Sequence, residues 1–285
     1  MIRRLALALA LLALAAPAGA KTVLFIGNSF TFGAGSKVQQ FHPERVNDLA
    51  HNGIGGVPAL FKTFADELKL DWQVRLETSP GKDLAWHFDN HRDLLSTPWD
   101  VVLLQGYSTL DQAHPGDPTR HIAAARQLGN LARQANPAVR VMLVATWSRA
   151  DLTWQSQGHW YGQPITAMAK DLNAANCTGF GAVPGLAAVI PVGLAWNRAF
   201  DRRLADPNPY DGLQPGRINL WAGDSYHASS EGYYLEALVE FGAVTGADPR
   251  RLGRNEAAAR ELQIKPKVAV ALQRIAYEQL RRKAC

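Results

Sequence analysis

Five short apolar, β-branched runs recur along this chain with room for a helix between each pair, and nothing else in the sequence restricts the fold as much. They cover residues 22–26, 72–78, 100–105, 139–146 and 187–192. Apolar runs without alternation suit strands buried on both faces, the condition of a parallel sheet covered by helices. The segments 57–70, 118–135 and 164–175 carry apolar residues at three- and four-residue spacing, the period of a helix with one buried face. Two more helices are predicted over 230–244 and 268–282, the first with Ser229 or Ser230 as its N-cap. Strand and helix alternate, so the chain reads as an α/β fold built on an open parallel sheet.

Residues 1–20 stand apart. Arg3 and Arg4 precede a Leu/Ala stretch, and Ala18-Gly19-Ala20 precedes Lys21, the pattern of a cleavable export signal. The stretch from Leu5 to Ala15 is too short to span a bilayer, which takes about 20 apolar residues, and no later segment comes close. The mature chain is expected to start at Lys21, to have no membrane span, and to be exported to the periplasm or the extracellular space. Residues 21–285 can bury one large core, so a single domain is expected. Of the net charge of +5, Arg3 and Arg4 contribute 2, which leaves +3 on the mature chain. That is a mild basic bias with no nucleic-acid footprint. Cys177 and Cys285 are the only cysteines. Their spacing allows one bridge without requiring it, and two cysteines do not make a disulfide framework.

Ligands of parallel sheets bind beyond the carboxyl ends of the strands, and residues able to do chemistry collect there. Ser29, in Gly27-Asn28-Ser29-Phe30-Thr31, follows the first run, and Gly81 follows the second. Gln105-Gly106-Tyr107-Ser108 closes the third and Trp147-Ser148 the fourth. Far along the chain lies Asp224-Ser225-Tyr226-His227. A serine hydroxyl becomes a nucleophile when an imidazole takes its proton, and the imidazole works best when a carboxylate fixes its tautomer. The long connections 33–56 and 199–223 are of a length that is usually functional or mobile.

From Gly27 to about Gly246 these blocks resemble the SGNH, or GDSL-like, hydrolase superfamily. Gly27-Asn28-Ser29 stands where most members have Gly-Asp-Ser, Gly81 matches the second block's glycine, and Asp224-Ser225-Tyr226-His227 matches Asp-x-x-His. The third block departs from the common Gly-x-Asn-Asp. It is closer to the Gln-Gly-Glu-Ser version of sialate and xylan O-acetylesterase relatives. The resemblance implies a three-layer, flavodoxin-like α/β/α fold with a central five-stranded parallel sheet. It also implies a serine esterase that needs no cofactor and no metal, with Ser29 as nucleophile, His227 as general base and then acid, and Asp224 as the group that orients the ring. The oxyanion would be held by the Ser29 and Gly81 N–H groups and the Gln105 amide, with Ser108 the alternative by register; each donor of this kind is worth roughly 3 kcal/mol of barrier. Asn28, Tyr107, Trp147 and Tyr226 are the candidate substrate contacts.

Competing patterns are weaker. His87 and His91, four apart, lack the glutamate of a metalloprotease helix and read as polar residues of a surface helix. The segment 206–212 has its glycine one position late for an EF-hand, and Arg217 stands where the closing glutamate belongs. The glycines of 27–35 fit neither a Walker nor a Rossmann loop. Trp147, Trp154, Trp160, Tyr161, Trp196, Trp221 and Tyr226 crowd the segments near the rim, and aromatic faces suit sugar rings. The expected substrates are therefore short acyl esters, such as acetyl groups, on carbohydrate. A lipase, thioesterase or acyltransferase of the same fold, and a non-catalytic glycan-binding protein, are the alternatives.

Overall fold

The computed structural model describes residues 19–285; residues 1–18, and with them most of the expected export signal, lie outside the described residues. Six parallel strands form one sheet: β1 (Lys21–Gly27), β2 (Asn47–Asp48), β3 (Trp72–Thr78), β4 (Val101–Leu104), β5 (Arg140–Val144) and β6 (Leu186–Ile190), in the order β2-β3-β1-β4-β5-β6. Ten α-helices connect and cover them: α1 (Ser29–Phe32), α2 (Gly56–Glu67), α3 (Leu84–His91), α4 (Thr119–Ala135), α5 (Ala150–Trp154), α6 (Thr166–Cys177), α7 (Val192–Asp201), α8 (Ser230–Thr245), α9 (Ala257–Glu261) and α10 (Pro266–Leu280).

The strands are apolar throughout because both faces are covered. Val23 and Phe25 of β1 point into one layer with α2, α7, α8 and α10, while Leu24 and Ile26 point into the other with α3 and α4. Register continues this across the sheet: Val23 pairs with Val74 and with Val101, and Leu104 with Leu143. Among the described residues no helix is long and apolar enough to cross a membrane.

The sheet has six strands where the sequence predicts five. The extra strand, β2, is two polar residues on the edge beside β3, with Asn47 opposite Arg75 and Asp48 opposite Leu76. It has no apolar run to announce it. Its Asp48 carboxylate instead organises the following turn by accepting from the N–H groups of Ala50, Asn52 and Ile54. The predicted loop 199–223 begins inside helix α7, whose Trp196 is fully buried. Cys177 and Cys285 form a disulfide, with Cα atoms 5.6 Å apart. It pins the C-terminal tail beside edge strand β6, where Ala284 O also accepts from Asn173 Nδ2 at 2.6 Å.

Candidate active site

The turn after β1 begins α1. Asn28 is its N-cap, its Oδ1 accepting from Phe30 N at 3.2 Å, so Ser29 starts the helix with its N–H pointing away from any intrahelical acceptor. Among the described residues neither Ser29 N–H nor Gly81 N–H finds an acceptor. Gly81 sits in the turn after β3 at φ +67°, a left-handed conformation that glycine adopts without strain. A Cβ there would meet nothing within 4 Å, so the backbone, and no crowding, requires the glycine.

Asn28 ties the blocks together. Its Nδ2 donates to Lys82 O and to Gly106 O, both at 3.0 Å. That joins the nucleophile turn to the Gly81 turn and to the loop after β4. With Oδ1 capping α1 as well, the side chain is fully used by the scaffold, and the expected substrate contact for Asn28 is corrected to a structural one.

Gln105 is corrected in the same way. It is buried; its Oε1 accepts from Asn28 N at 2.9 Å and Thr31 Oγ1 at 3.0 Å, and its Nε2 donates to Gly106 O. Two donors on Oε1 fix which end of the amide faces Ser29's turn, and it is the end that cannot donate. Gln105 therefore braces the turn from behind, and its amide N–H groups are not aimed at an oxyanion. Ser108, the alternative, is buried with its Oγ accepting from Arg149 Nη1 at 3.3 Å.

The second half of the site is one tight turn. His227 Nδ1 lies 2.6 Å from Asp224 Oδ2, while Asp224 Oδ1 accepts from the N–H groups of Tyr226 (3.0 Å) and His227 (2.9 Å). Ser225 takes φ +56° to close it. Burial pushes the Asp224 carboxyl up, but the hydrogen bonds from the His227 ring and the two N–H groups outweigh it and hold the group below the usual carboxylate range. With Nδ1 committed to Asp224, Nε2 carries the free lone pair; it is buried and has no partner among the described residues. The Ser29 hydroxyl is not hydrogen-bonded to it here. The two segments are nonetheless neighbours: the His227 ring is 5.8 Å from that of Phe30, and Tyr233 Oη, with its single proton, lies between Ser29 O (3.2 Å) and Ala34 O (3.0 Å).

The loop between β5 and α5 staples this turn in place. Ala150 N and Asp151 N donate to Ser225 O, Trp147 Nε1 donates to Tyr226 O at 3.1 Å, and Trp221 Nε1 donates to Ser148 O at 3.0 Å. The Arg149 guanidinium lies 3.7 Å from the Tyr226 ring centroid, and it is held there by a two-point ion pair to Asp151 (Nε–Oδ1 3.1 Å, Nη2–Oδ2 2.6 Å). No motif announces Arg149, since a lone arginine after a strand is unremarked in sequence; only the Tyr226 ring beneath it gives it a part in the site.

Further expectations are corrected. Trp147 is fully buried, stacked between Phe30 (4.2 Å) and Trp196 (4.8 Å), so it offers no face to a substrate. Trp160, Trp196 and Trp221 are core residues too, which leaves Tyr161, exposed, and Trp154, half-buried against Tyr210, as the members of the expected aromatic cluster outside the core besides Tyr226. Tyr226 is partly exposed, but its ring lies between Arg149 and His227, 4.1 Å from the latter. Tyr107 lines a hollow, and burial raises its phenol above the usual range. His87, expected on the surface, is buried with its Nδ1 paired to Glu77, and His91 Nε2 lies 3.7 Å from that carboxylate's other oxygen.

No model of a known protein family matches the chain, and no curated protein sequence does. Solved structures match over most of its length. A DUF4886 family protein from Bacteroides uniformis superposes with a TM-score of 0.57 at 18% identity, covering 91% of this chain and 94% of its own. A protein assigned as a GDSL-like lipase from Parabacteroides merdae gives a TM-score of 0.53 at 16% identity, covering 80% of this chain and 96% of its own. At such identities the likeness is one of architecture, and on it the chain has the fold of the SGNH, or GDSL-like, hydrolases.

Proposed function

We propose that this protein is a serine hydrolase of carboxylic esters, with short acyl groups such as acetyl on carbohydrate as its substrates. The observation that carries the reading is the Asp224–His227 turn: a carboxylate holds one ring nitrogen and leaves the other buried and unpartnered among the described residues, on a ring 5.8 Å from that of Phe30, the neighbour of Ser29. A buried, unsatisfied imidazole nitrogen is costly unless it has work to do.

In this reading Nε2 takes the Ser29 proton as Oγ attacks the ester carbonyl carbon, and Asp224 stabilises the imidazolium. The carbonyl oxygen becomes an oxyanion held by the free N–H groups of Ser29 and Gly81 at the start of α1 and in the β3 turn. The C–O bond then breaks, the alcohol leaves with the proton from Nε2, and an acyl-Ser29 remains. Water, deprotonated by the same nitrogen, attacks the acyl carbon and returns the Ser29 hydroxyl and a free acid. Closure of the Ser29–His227 hydrogen bond on substrate binding accords with the common loosening of such bonds in unliganded sites. No step draws on a cofactor. Export fits the Cys177–Cys285 bridge, since disulfides persist in oxidising compartments.

A fluorophosphonate probe is expected to label the protein at Ser29 and to leave Ser29→Ala unlabelled. The same variant should lose ester turnover while unfolding at the native midpoint. A labelled Ser29→Ala, or full turnover by it, rejects the nucleophile. An unlabelled wild-type protein leaves the non-catalytic reading.

A further inference from the structure

We propose that the face built by the end of α7, by α10 and by the tail after it seats the protein on an anionic phospholipid surface, with the hollow between α7 and α10 taking a headgroup phosphate. Nothing in this depends on the esterase reading. Residues 246–285 carry ten basic side chains against four acidic ones, a net +6 on a chain that sums to +3 from Lys21 onward, so the residues between sum to −3. A modest total hides a separation of charge, and the separation has a place in the fold.

The hollow measures about 390 Å3, and its charged lining is Arg202, Arg203, Arg274 and Glu278. One carboxylate stands among three guanidiniums. Glu278 accepts from Arg202 Nη2 at 2.8 Å and from Arg274 Nε at 3.1 Å, and Arg198 Nη1 lies 3.7 Å from it. Arg202 and Arg274 each spend one nitrogen on Glu278 and keep the rest of the fork, while Arg203 enters no ion pair among the described residues. Burial, and then the charge of Arg282, holds the Arg198 guanidinium below its usual range, and the nearby Glu278 and Asp201 do not offset this. The cluster therefore has positive charge to spare. A planar guanidinium matches phosphate oxygens in two-point contact. At roughly 30 Å3 per water the hollow equals about thirteen waters, room for a phosphate and the headgroup that carries it.

Lipid is favoured over a soluble polyanion because apolar side chains stand among the charges. Val270, 43% exposed, lies on α10 one turn from Lys267 and one from Arg274. Phe180, 46% exposed, borders a second hollow of about 330 Å3 together with Leu280, Arg282 and Lys283. These are two of the five large apolar side chains most exposed among the described residues. A basic surface with apolar groups in it suits the boundary between headgroups and acyl chains. The Cys177–Cys285 bridge fixes Arg282 and Lys283 in this place.

The face lies away from the catalytic turn. Leu280 packs on Gly242, near the end of α8, whose first residue is Ser230 beside the His227 turn. At 1.5 Å per residue that is about 18 Å along the helix, so seating this face leaves the rim clear.

Co-sedimentation of the intact protein with vesicles of phosphatidylcholine, and of equimolar phosphatidylcholine and phosphatidylglycerol, tests the surface, with dextran sulfate as the soluble polyanion. The mixed vesicles should bind, the neutral ones should not, and added salt should release the protein. Arg203→Ala/Arg274→Ala should weaken binding to mixed vesicles about tenfold or more at an unchanged unfolding midpoint. Lys267→Gln/Lys283→Gln, which removes as much charge and breaks no ion pair, should weaken it severalfold, and so should Phe180→Ser/Val270→Ser. Equal binding to both vesicles, binding to neither, or mixed-vesicle binding unchanged in both charge variants overturns the proposal. Equal losses in the two charge variants overturn the headgroup site. Dextran sulfate bound as tightly as mixed vesicles, with Phe180→Ser/Val270→Ser without effect, would assign the face to a soluble polyanion and overturn the lipid.

Discussion

Asn28 differs from an aspartate by an –NH2 that this scaffold uses twice. Nδ2 donates to two carbonyl oxygens from two different loops, Lys82 O and Gly106 O. Asn28→Asp would put a carboxylate against both oxygens in a buried place. The expected loss is about 2–5 kcal/mol, from two broken buried hydrogen bonds plus repulsion. A urea midpoint equal to wild type would show that the turn is not held this way. Under the proposed function Asp224 acts through His227, so Asp224→Asn should keep the fold and lower kcat by about 10^4-fold, because the amide favours the wrong ring tautomer. Measured kcat within tenfold of wild type would remove Asp224 from the mechanism. The Asp224–His227 pair was legible in the sequence because both residues sit in one short motif whose spacing is local. The sequence could not make the parts of Gln105 and Asn28 legible, because both are decided by acceptors and donors 54 to 78 positions away.

At the scale of an element, α8 is the unusual one. It is buried on nearly every side, and it carries Glu236 and Glu240, one turn apart, with no hydrogen-bond partner for either oxygen of Glu236 or for Glu240 Oε2 among the described residues. Burial pushes the Glu240 carboxyl up to about 8. Burial, and then the charge of Glu240, pushes Glu236 well above the usual range. Burial therefore favours the protonated form of both in the folded protein, whereas the ordinary carboxyl value is 4.5. Their stabilising contribution is therefore complete below about pH 4.5 and declines as pH rises toward 8. Glu240→Gln is expected to flatten the fall in stability between those limits, and Glu236→Gln/Glu240→Gln to flatten it further, as read from denaturant midpoints at several pH values. An unchanged slope would mean that these carboxyls reach water. Helix α4 sets another local constraint: a Cβ on Gly106 would come 2.3 Å from His121 Nδ1, so Gly106→Ala should shift the end of β4 and lower both stability and turnover.

For the whole molecule, the disulfide closes the largest loop in the chain that any covalent link spans. Cys177 and Cys285 are separated by 108 residues, and in the loop-entropy treatment a closure of that size is worth about 4–5 kcal/mol. Reduction, or Cys177→Ser with Cys285→Ser, is expected to lower the thermal midpoint by roughly 10 °C or more. A shift of less than about 2 °C would show that the tail already docks through contacts such as Asn173 Nδ2 to Ala284 O.

By itself the sequence determined the sheet and the rim. A buried parallel strand needs an unbroken apolar run and a helix needs its own period, both readable within a dozen residues, and the ends of those runs placed Ser29, Gly81 and the loop after β4 on one side. Only the tertiary structure decided which polar groups were left over for chemistry. Gln105 and Asn28 lost theirs to the scaffold, Trp147, Trp160, Trp196 and Trp221 went to the core, and the ring of His227 kept one nitrogen free. Hydrogen bonds are saturated by whatever lies within about 3 Å, and what lies there is set by the packing of distant segments.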